Sequence, residues 1–246
     1  MDNKELFTYK SEDYFRFRPS YPDAAVDFLY SQCPGGKVID TGAGTGIFTK
    51  ALQRRFQHIT AVEPNAEMRE KFQTFLPGIP CSAGSAEKSA LPPCSADLIT
   101  AAQAFHWFDE ELFKAESVRI LRPGGQVAII WNSSLKNDFT EARDAVCRKL
   151  CPRFRSGHAG KRSPAEGDAF LRCSYFREVE FVSFPNPFEM NLETFEGNMR
   201  SRSYAPGPES AEFSIWAQEL RAVFEKFSSK GTVTEPMETQ IYLGKF

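Results

Sequence analysis

The chain has 246 residues, 41% hydrophobic and 25% charged, enough for one large core or a core with a small cap. Thirty Lys and Arg against 32 Asp and Glu leave a net charge of −2, without the basic excess of a nucleic-acid-binding surface. No apolar stretch approaches the roughly 20 residues that cross a bilayer, and the polar opening Met-Asp-Asn-Lys-Glu-Leu does not read as a secretion signal. The expectation is a cytoplasmic chain without membrane or nucleic-acid partners.

Taken in chain order, the pattern alternates strand and helix. Residues 22–33 read as a helix opened by Pro22, with Ala25, Val26, Phe28 and Leu29 on one face and Gly35-Gly36 after it. A strand follows at 37–40, then a glycine turn, then a helix of about 46–56 carrying Ile47, Phe48, Ala51, Leu52 and Phe56 at helical spacing. Residues 58–63 form a second strand, Pro64 and Asn65 open a helix over 66–75, and a short third strand spans about 79–83. Asp97–Ala102 is the fourth strand, Asp109 caps a helix running to Leu121, and Arg122-Pro123-Gly124-Gly125 breaks the chain before a fifth strand, Gln126–Trp131. That last segment is apolar without alternation, as suits a parallel strand covered on both faces.

Beyond Trp131 the pattern is less regular. Residues 138–151, 191–203 and 209–227 read as helices, 176–184 as a strand and Ile241-Tyr242-Leu243, at the end of 232–246, as a last strand, while 153–168 reads as a loop rich in Gly, Ser, Pro and charge. Six cysteines, Cys33, Cys81, Cys94, Cys147, Cys151 and Cys173, form no Cys-x-x-Cys pair. They read as reduced packing thiols, with no metal site. The fold class that emerges is α/β, a doubly wound Rossmann-like sheet.

The chemistry concentrates in Val-Ile-Asp-Thr-Gly-Ala-Gly-Thr-Gly at 38–46. Strand, glycine turn and helix bring bare backbone up to a nucleotide-like ligand, since a Cβ would block the approach and disfavour positive φ. Glu63 follows Gly42 by 21 residues at the end of the second strand, where an acid accepts hydrogen bonds from ribose hydroxyls. The glycine spacing is Gly-x-Gly-x-Gly rather than the Gly-x-Gly-x-x-Gly that seats a pyrophosphate on a helix N-terminus. Asp40 before it repels a diphosphate and suits an ammonium group.

Five motifs occur in order: Val38–Gly46, Val-Glu-Pro-Asn-Ala-Glu-Met at 62–68, Gly-Ser-Ala-Glu at 84–87, Ala-Gln-Ala-Phe-His-Trp-Phe at 102–108 and Leu-Arg-Pro-Gly-Gly at 121–125. With them the chain resembles a class I S-adenosylmethionine-dependent methyltransferase. Arg-Pro-Ser-Tyr-Pro at 18–22 and Arg-Ser-Arg-Ser-Tyr at 200–204 narrow the resemblance to the small-molecule branch that includes trans-aconitate methyltransferase-like proteins.

The resemblance implies a single domain over 1–246 with a seven-stranded sheet whose last strand is antiparallel. The cofactor half would be 1–132, and helical cap elements would come from the N-terminus and from 133–230. It implies S-adenosyl-L-methionine as cofactor. Asp40, Gly42 and Gly44 would hold the methionine part, with Thr41, Ala43 and Gly46 in the same loop. Glu63 would hold the ribose, with Pro64 beside it. Asn65 and Met68 would lie near the adenine, and Ser85 and Ala86 would meet its polar edge. Gln103 and Ala104 would line the methionine side, while Tyr14 and Arg18 would close over the cofactor. Thr41 departs from the small residue that many relatives carry there.

Methyl transfer mainly requires alignment of a nucleophile with the methyl group. A carboxylate acceptor needs no base, whereas a hydroxyl benefits from one. His106 follows the fourth strand and reads either as a pocket-lining residue or base, or as a side chain packed between Phe105 and Trp107. Phe105, Trp107, Trp131 and Tyr204 read as a substrate wall or as core aromatics. Asn132 reads as a substrate contact or as the cap of the next helix. Arg200 and Arg202 read as ligands of a substrate carboxylate or as solvated helix residues. The leading expectation is an enzyme that methylates a small organic acceptor, O- or carboxyl-methylation favoured, as a monomer or homodimer. The alternatives are a methyltransferase of protein or RNA, a nicotinamide oxidoreductase and a non-catalytic cofactor-binding protein.

Overall fold

A computed structural model describes residues 16–154 and 164–246. The chain divides into two compact units. Among the described residues, one comprises 20–132, 164–185 and 239–246, the other 16–19, 133–154 and 186–238.

The first unit is built on the sheet. Its elements in chain order are α1 (Asp23–Gln32), β1 (Lys37–Thr41), α2 (Ile47–Leu52), β2 (His58–Val62), α3 (Ala66–Phe75), β3 (Cys81–Ser82), β4 (Ala96–Ala102), α4 (Glu110–Ile120) and β5 (Leu121–Ser134). The strand order is β3-β2-β1-β4-β5-β9-β6, where β6 is Glu178–Pro185 and β9 is Met237–Lys245. β1 pairs parallel with both β2 and β4, β2 with β3 and β4 with β5; the last strand, β9, is antiparallel. The doubly wound sheet expected from the alternating pattern is therefore present. Parallel strands require crossovers, which α2, α3 and α4 supply. The run Val127–Asn132 is buried at every position, which explains its unbroken apolar sequence.

Local signals placed α3 and α4 well. Asn65 Oδ1 accepts a hydrogen bond from the Met68 amide at 3.0 Å, and Asp109 Oδ1 one from the Leu112 amide at 3.1 Å, so each acid or amide side chain caps its helix.

Other boundaries differ from expectation. α2 stops at Leu52, and Phe56 is buried beyond it. β3 shrinks to two residues. Arg122–Gly125 do not interrupt β5. Ala96 pairs with Leu121 and Leu98 with Gln126, so the extra residues form an irregularity within the strand. Arg122 Nη1 anchors it on the Asp97 carboxylate at 3.0 Å, and Gly124 takes φ +83°. Of the expected loop at 153–168, residues 155–163 lie outside the described residues. Pro164–Phe170 forms a helix, α6, that continues into a π-turn over Leu171–Tyr175.

The second unit contains α5 (Asp138–Leu150), β7 (Phe188–Asn191), α7 (Leu192–Arg200), α8 (Ala211–Phe227) and β8 (Thr232–Glu235). β7 pairs antiparallel with β8. No sequence signal marked β7, a four-residue strand just after Pro185 and Pro187. The last strand expected at Ile241–Leu243 lies within β9, and β8 precedes it, the two parted at Pro236, which has no amide hydrogen to continue a ladder. Phe139, Phe195, Met199, Trp216, Leu220 and Phe224 make the core of this unit, and Cys147 of α5 and Cys151 just past its end are packed into it. Arg143 Nη1 meets Glu235 Oε1 at 2.6 Å. Burial would raise the Glu235 carboxyl, but Arg143 and Arg202 outweigh it and hold it below the usual range. No helix among the described residues is long and apolar enough to cross a membrane.

Candidate functional site

β1 is flanked by β2 and β4, so the chain reverses its winding between β1 and β4. The carboxyl edge at such a point is where open α/β sheets hold ligands. The turn after β1 is pinned to β2, with the Gly42 and Ala43 amides donating to the Val62 carbonyl at 2.8 and 3.1 Å. Its glycines serve different ends. A Cβ on Gly42 would lie 2.7 Å from the Ala104 methyl and 3.1 Å from the Phe108 ring. Gly46 faces Phe72 and Leu76 in the same way. A Cβ on Gly44, at φ +57°, would meet nothing within 4 Å. Ligand approach, inferred for all three glycines, therefore fits Gly44, while the protein's own side chains require the other two.

Two acids bracket this turn. Asp40 is 1% exposed and accepts hydrogen bonds from Thr49 Oγ1 at 2.5 Å and Thr100 Oγ1 at 2.9 Å. Burial pushes its carboxyl up to about 6 against the pull of those hydroxyls, and the Glu63 charge adds to the rise. Glu63, 7% exposed, accepts from the Gly44 amide on one oxygen and the Asn65 amide on the other, both at 2.8 Å. Burial raises it as well, opposed by those two amides and by Arg69. Each carboxylate oxygen has a further lone pair for a ligand hydroxyl or ammonium. Thr45 Oγ1, within the turn, is buried with no hydrogen-bond partner.

The remaining sheet-edge residues fall into place around these. Thr41 is buried, Ala43 half-buried and Pro64 exposed; Asn65 is committed to its cap, and Met68 is buried behind it. Ser85 closes a tight turn with Lys88, its amide donating to the Lys88 carbonyl at 3.0 Å, and Ala86 is buried in the core. Gln103, at the end of β4, has φ +55°. That left-handed conformation is strained for a residue with a side chain, and strain of this kind gathers at functional sites. Its amide donates to the Ile130 carbonyl at 2.9 Å and its Nε2 to the Asn132 carbonyl at 3.0 Å. Ala104, 6% exposed, packs on Gly42.

A 3₁₀ turn over Phe105–Trp107 follows. Phe105 turns inward onto Phe113, Trp131 and Tyr175, so Phe105 and Trp131 sit in the core. His106 is half-buried with its ring 4.8 Å from that of Trp107, which is 36% exposed. Asn132 does not cap the next helix; Asn137 does, through a capping box with Thr140. Instead Asn132 Nδ2 donates to the Ser20 carbonyl at 3.1 Å, and its Oδ1 accepts from Thr239 Oγ1 at 2.6 Å.

Four candidate residues belong to the other unit. Arg18 donates to the Ser201 carbonyl at 3.1 Å. Arg200 is half-buried in the last turn of α7, and the Tyr204 ring stands nearly perpendicular to Phe154 at 4.9 Å. Arg202 donates to Asn198 Oδ1 at 3.0 Å. Tyr14 and His158 lie outside the described residues.

Residues 39–129 match the family described as a methyltransferase domain. An uncharacterised methyltransferase of Schizosaccharomyces pombe (strain 972 / ATCC 24843), C25B8.09, is 34% identical over 188 residues, covering 72% of this chain and 74% of that one. The chain belongs to the class I S-adenosylmethionine-dependent methyltransferase family. An uncharacterised methyltransferase of Mycobacterium tuberculosis (strain ATCC 25618 / H37Rv), Rv3342, is 40% identical over 120 residues, so the chain spans about half the length of that relative, 49%. A solved structure, a putative type II methyltransferase from Anaeromyxobacter dehalogenans, shares the fold of this methyltransferase-family chain. Its TM-score is 0.67 at 24% identity, over 93% of this chain and 96% of that one.

The stretch that matches the methyltransferase family runs from β1 into β5 and carries the turn, both acids and the strained Gln103. Thr45, Thr49 and Thr100 complete this part of the methyltransferase-family chain and were not singled out from sequence. Thr100 did leave a trace there, a hydroxyl in the apolar run Leu-Ile-Thr-Ala, where a buried polar group needs a partner.

Proposed function

We propose that the chain binds S-adenosylmethionine at the turn between Asp40 and Glu63 and transfers its methyl group to an oxygen of a small organic acceptor. The observation that carries this reading is the pair of buried acids flanking Gly44, the turn glycine that faces open space. A site of that charge suits a sulfonium and ammonium ligand and opposes a diphosphate. The unpartnered Thr45 hydroxyl would offer the same ligand a further polar contact. When bound, the cofactor supplies an activated methyl group. Asp40 would hold the ammonium end, Glu63 the ribose hydroxyls, and Ser85 and Ala86 the adenine edge, while Gln103 and Ala104 would wall the methionine side.

The displacement would be in line, an acceptor oxygen bonding to the methyl group as its bond to sulfur breaks and the electron pair leaves on sulfur. The protein's part is alignment. His106 and Trp107 would line the acceptor side. With a carboxylate acceptor His106 moves no proton; with a hydroxyl acceptor it takes one as general base. The net charge of −2 supports a small acceptor over a nucleic acid, and a cytoplasmic setting goes with it.

Transfer of labelled methyl from S-adenosylmethionine is expected on small carboxylic acids or phenols within a mixed panel. Incorporation only into RNA or protein would overturn the small acceptor, and binding without transfer to any acceptor would leave a cofactor-binding protein. On a carboxylic acid, His106→Ala is expected to raise KM and leave the pH profile of kcat unchanged. On a phenol it is expected to remove the acidic limb of that profile.

A further inference from the structure

We propose that Glu116 is a positioning residue for the adenine side of the site, acting through the turn at 84–91; this rests on the cofactor reading above. Glu116 projects from the middle of α4 and is 9% exposed. Its Oε1 accepts both the amide and the hydroxyl of Ser89, at 2.8 and 2.5 Å. Arg119 donates to its two oxygens, each at 2.7 Å, and also reaches the Leu91 carbonyl at 2.8 Å. One carboxylate thus fixes the far limb of the turn whose near limb carries Ser85 and Ala86.

The clamp is stiff. The Arg119 and Ser89 hydrogen bonds hold the Glu116 carboxyl down to about 2 against the opposing effect of burial, so it is ionised throughout the ordinary pH range. The two limbs are tied together by Ser85 and Lys88, amide to carbonyl in both directions. Ser82 Oγ donates to the Ser89 carbonyl at 2.8 Å. A Cβ on Gly84 would lie 2.4 Å from that carbonyl oxygen, so the limbs touch at backbone distance. Ala90, next to the clamped Ser89, is held at φ +59°, a left-handed conformation unfavourable for an alanine. Such a conformation persists where the surroundings over-determine it, and Glu116 and Arg119 are those surroundings. Without the carboxylate, the buried Ser89 amide loses its acceptor and Ala90 can relax, shifting Ser85 and Ala86.

The test compares wild type, Glu116→Ala and Glu116→Gln by calorimetry with S-adenosylhomocysteine and with 5′-methylthioadenosine, which lacks the amino-acid end. Losing a charge-assisted clamp is expected to weaken both ligands by a similar factor, about tenfold or more, in Glu116→Ala. Glu116→Gln keeps a carbonyl oxygen for Ser89 and is expected to lose less. Amide hydrogen exchange over 84–91 is expected to quicken in Glu116→Ala, while that of β1 and β4 stays as in wild type. A lowered melting temperature with unchanged affinity for 5′-methylthioadenosine would make Glu116 merely structural and overturn the proposal. Should Glu116→Ala not fold, unchanged affinity in both Glu116→Gln and Ser89→Ala would overturn it. A wild-type protein that binds neither ligand overturns the cofactor reading itself, a result distinct from these.

Discussion

Asp40→Asn is expected to make the free protein more stable at neutral pH while removing most of its affinity for S-adenosylhomocysteine. The ordinary aspartate value lies near 4, and in the fold burial lifts Asp40 to about 6. The folded state therefore holds a proton on this group more tightly than the unfolded chain does. The stabilising effect of that proton is fully present below about pH 4 and is lost as pH rises through about 6. At pH 7.5 the buried anion costs the fold up to about 3 kcal/mol. Asparagine removes the charge, and the Thr49 and Thr100 hydroxyls can rotate to suit an amide. Denaturant melts at pH 7.5 and pH 4.5 should show a gain at both, about a third as large at the second as at the first.

The same charge carries the proposed contact with the ammonium group, so affinity is expected to fall by about tenfold to a hundredfold in Asp40→Asn. Wild-type affinity should weaken by up to about tenfold per pH unit below about pH 6, as Asp40 takes up its proton. A variant that is less stable at pH 7.5, or that keeps full affinity, would contradict this assignment.

Gly42→Ala and Gly44→Ala are expected to fail in opposite ways. Both positions have positive φ, +68° and +57°, which costs an alanine roughly 1–2 kcal/mol. At Gly42 the new methyl would also meet the Ala104 Cβ at 2.7 Å, a contact that only backbone movement can relieve, adding about 1–3 kcal/mol. At Gly44 there is open space, so only the backbone term applies. The methyl would then stand where the ligand is proposed to lie. Gly42→Ala should therefore lose about 2–5 kcal/mol of stability. Gly44→Ala should lose about 1–2 kcal/mol yet bind S-adenosylhomocysteine far more weakly than wild type. Equal stability losses, or a Gly44→Ala variant with wild-type affinity, would contradict the division of roles within the turn.

The elements that could be read from sequence are those whose signals are local. The alternating runs of β1, β2 and β4, and the caps Asn65 and Asp109, lie within a few residues of what they organise. β7 and the persistence of β5 through Arg122–Gly125 were hidden because each depends on a partner distant in the chain, β8 for one and β4 with Asp97 for the other. At the site, Asp40 and Glu63 were legible because strand, turn and acid follow in a fixed order. Thr49 and Thr100 were not, since their hydrogen bonds to Asp40 join three separate elements. Phe105 and Trp131 were ambiguous between wall and core for the same reason: burial among Phe113, Tyr175 and Tyr242 is a property of the assembled sheet.

The turn between two buried acids is expected to select a sulfonium or thioether nucleoside over a dinucleotide. Calorimetric titration of the wild-type protein with S-adenosylhomocysteine and with NAD in one buffer at pH 7.5 tests it directly. Saturable binding of S-adenosylhomocysteine with no comparable NAD heat is the predicted result, and tighter binding of NAD would contradict it.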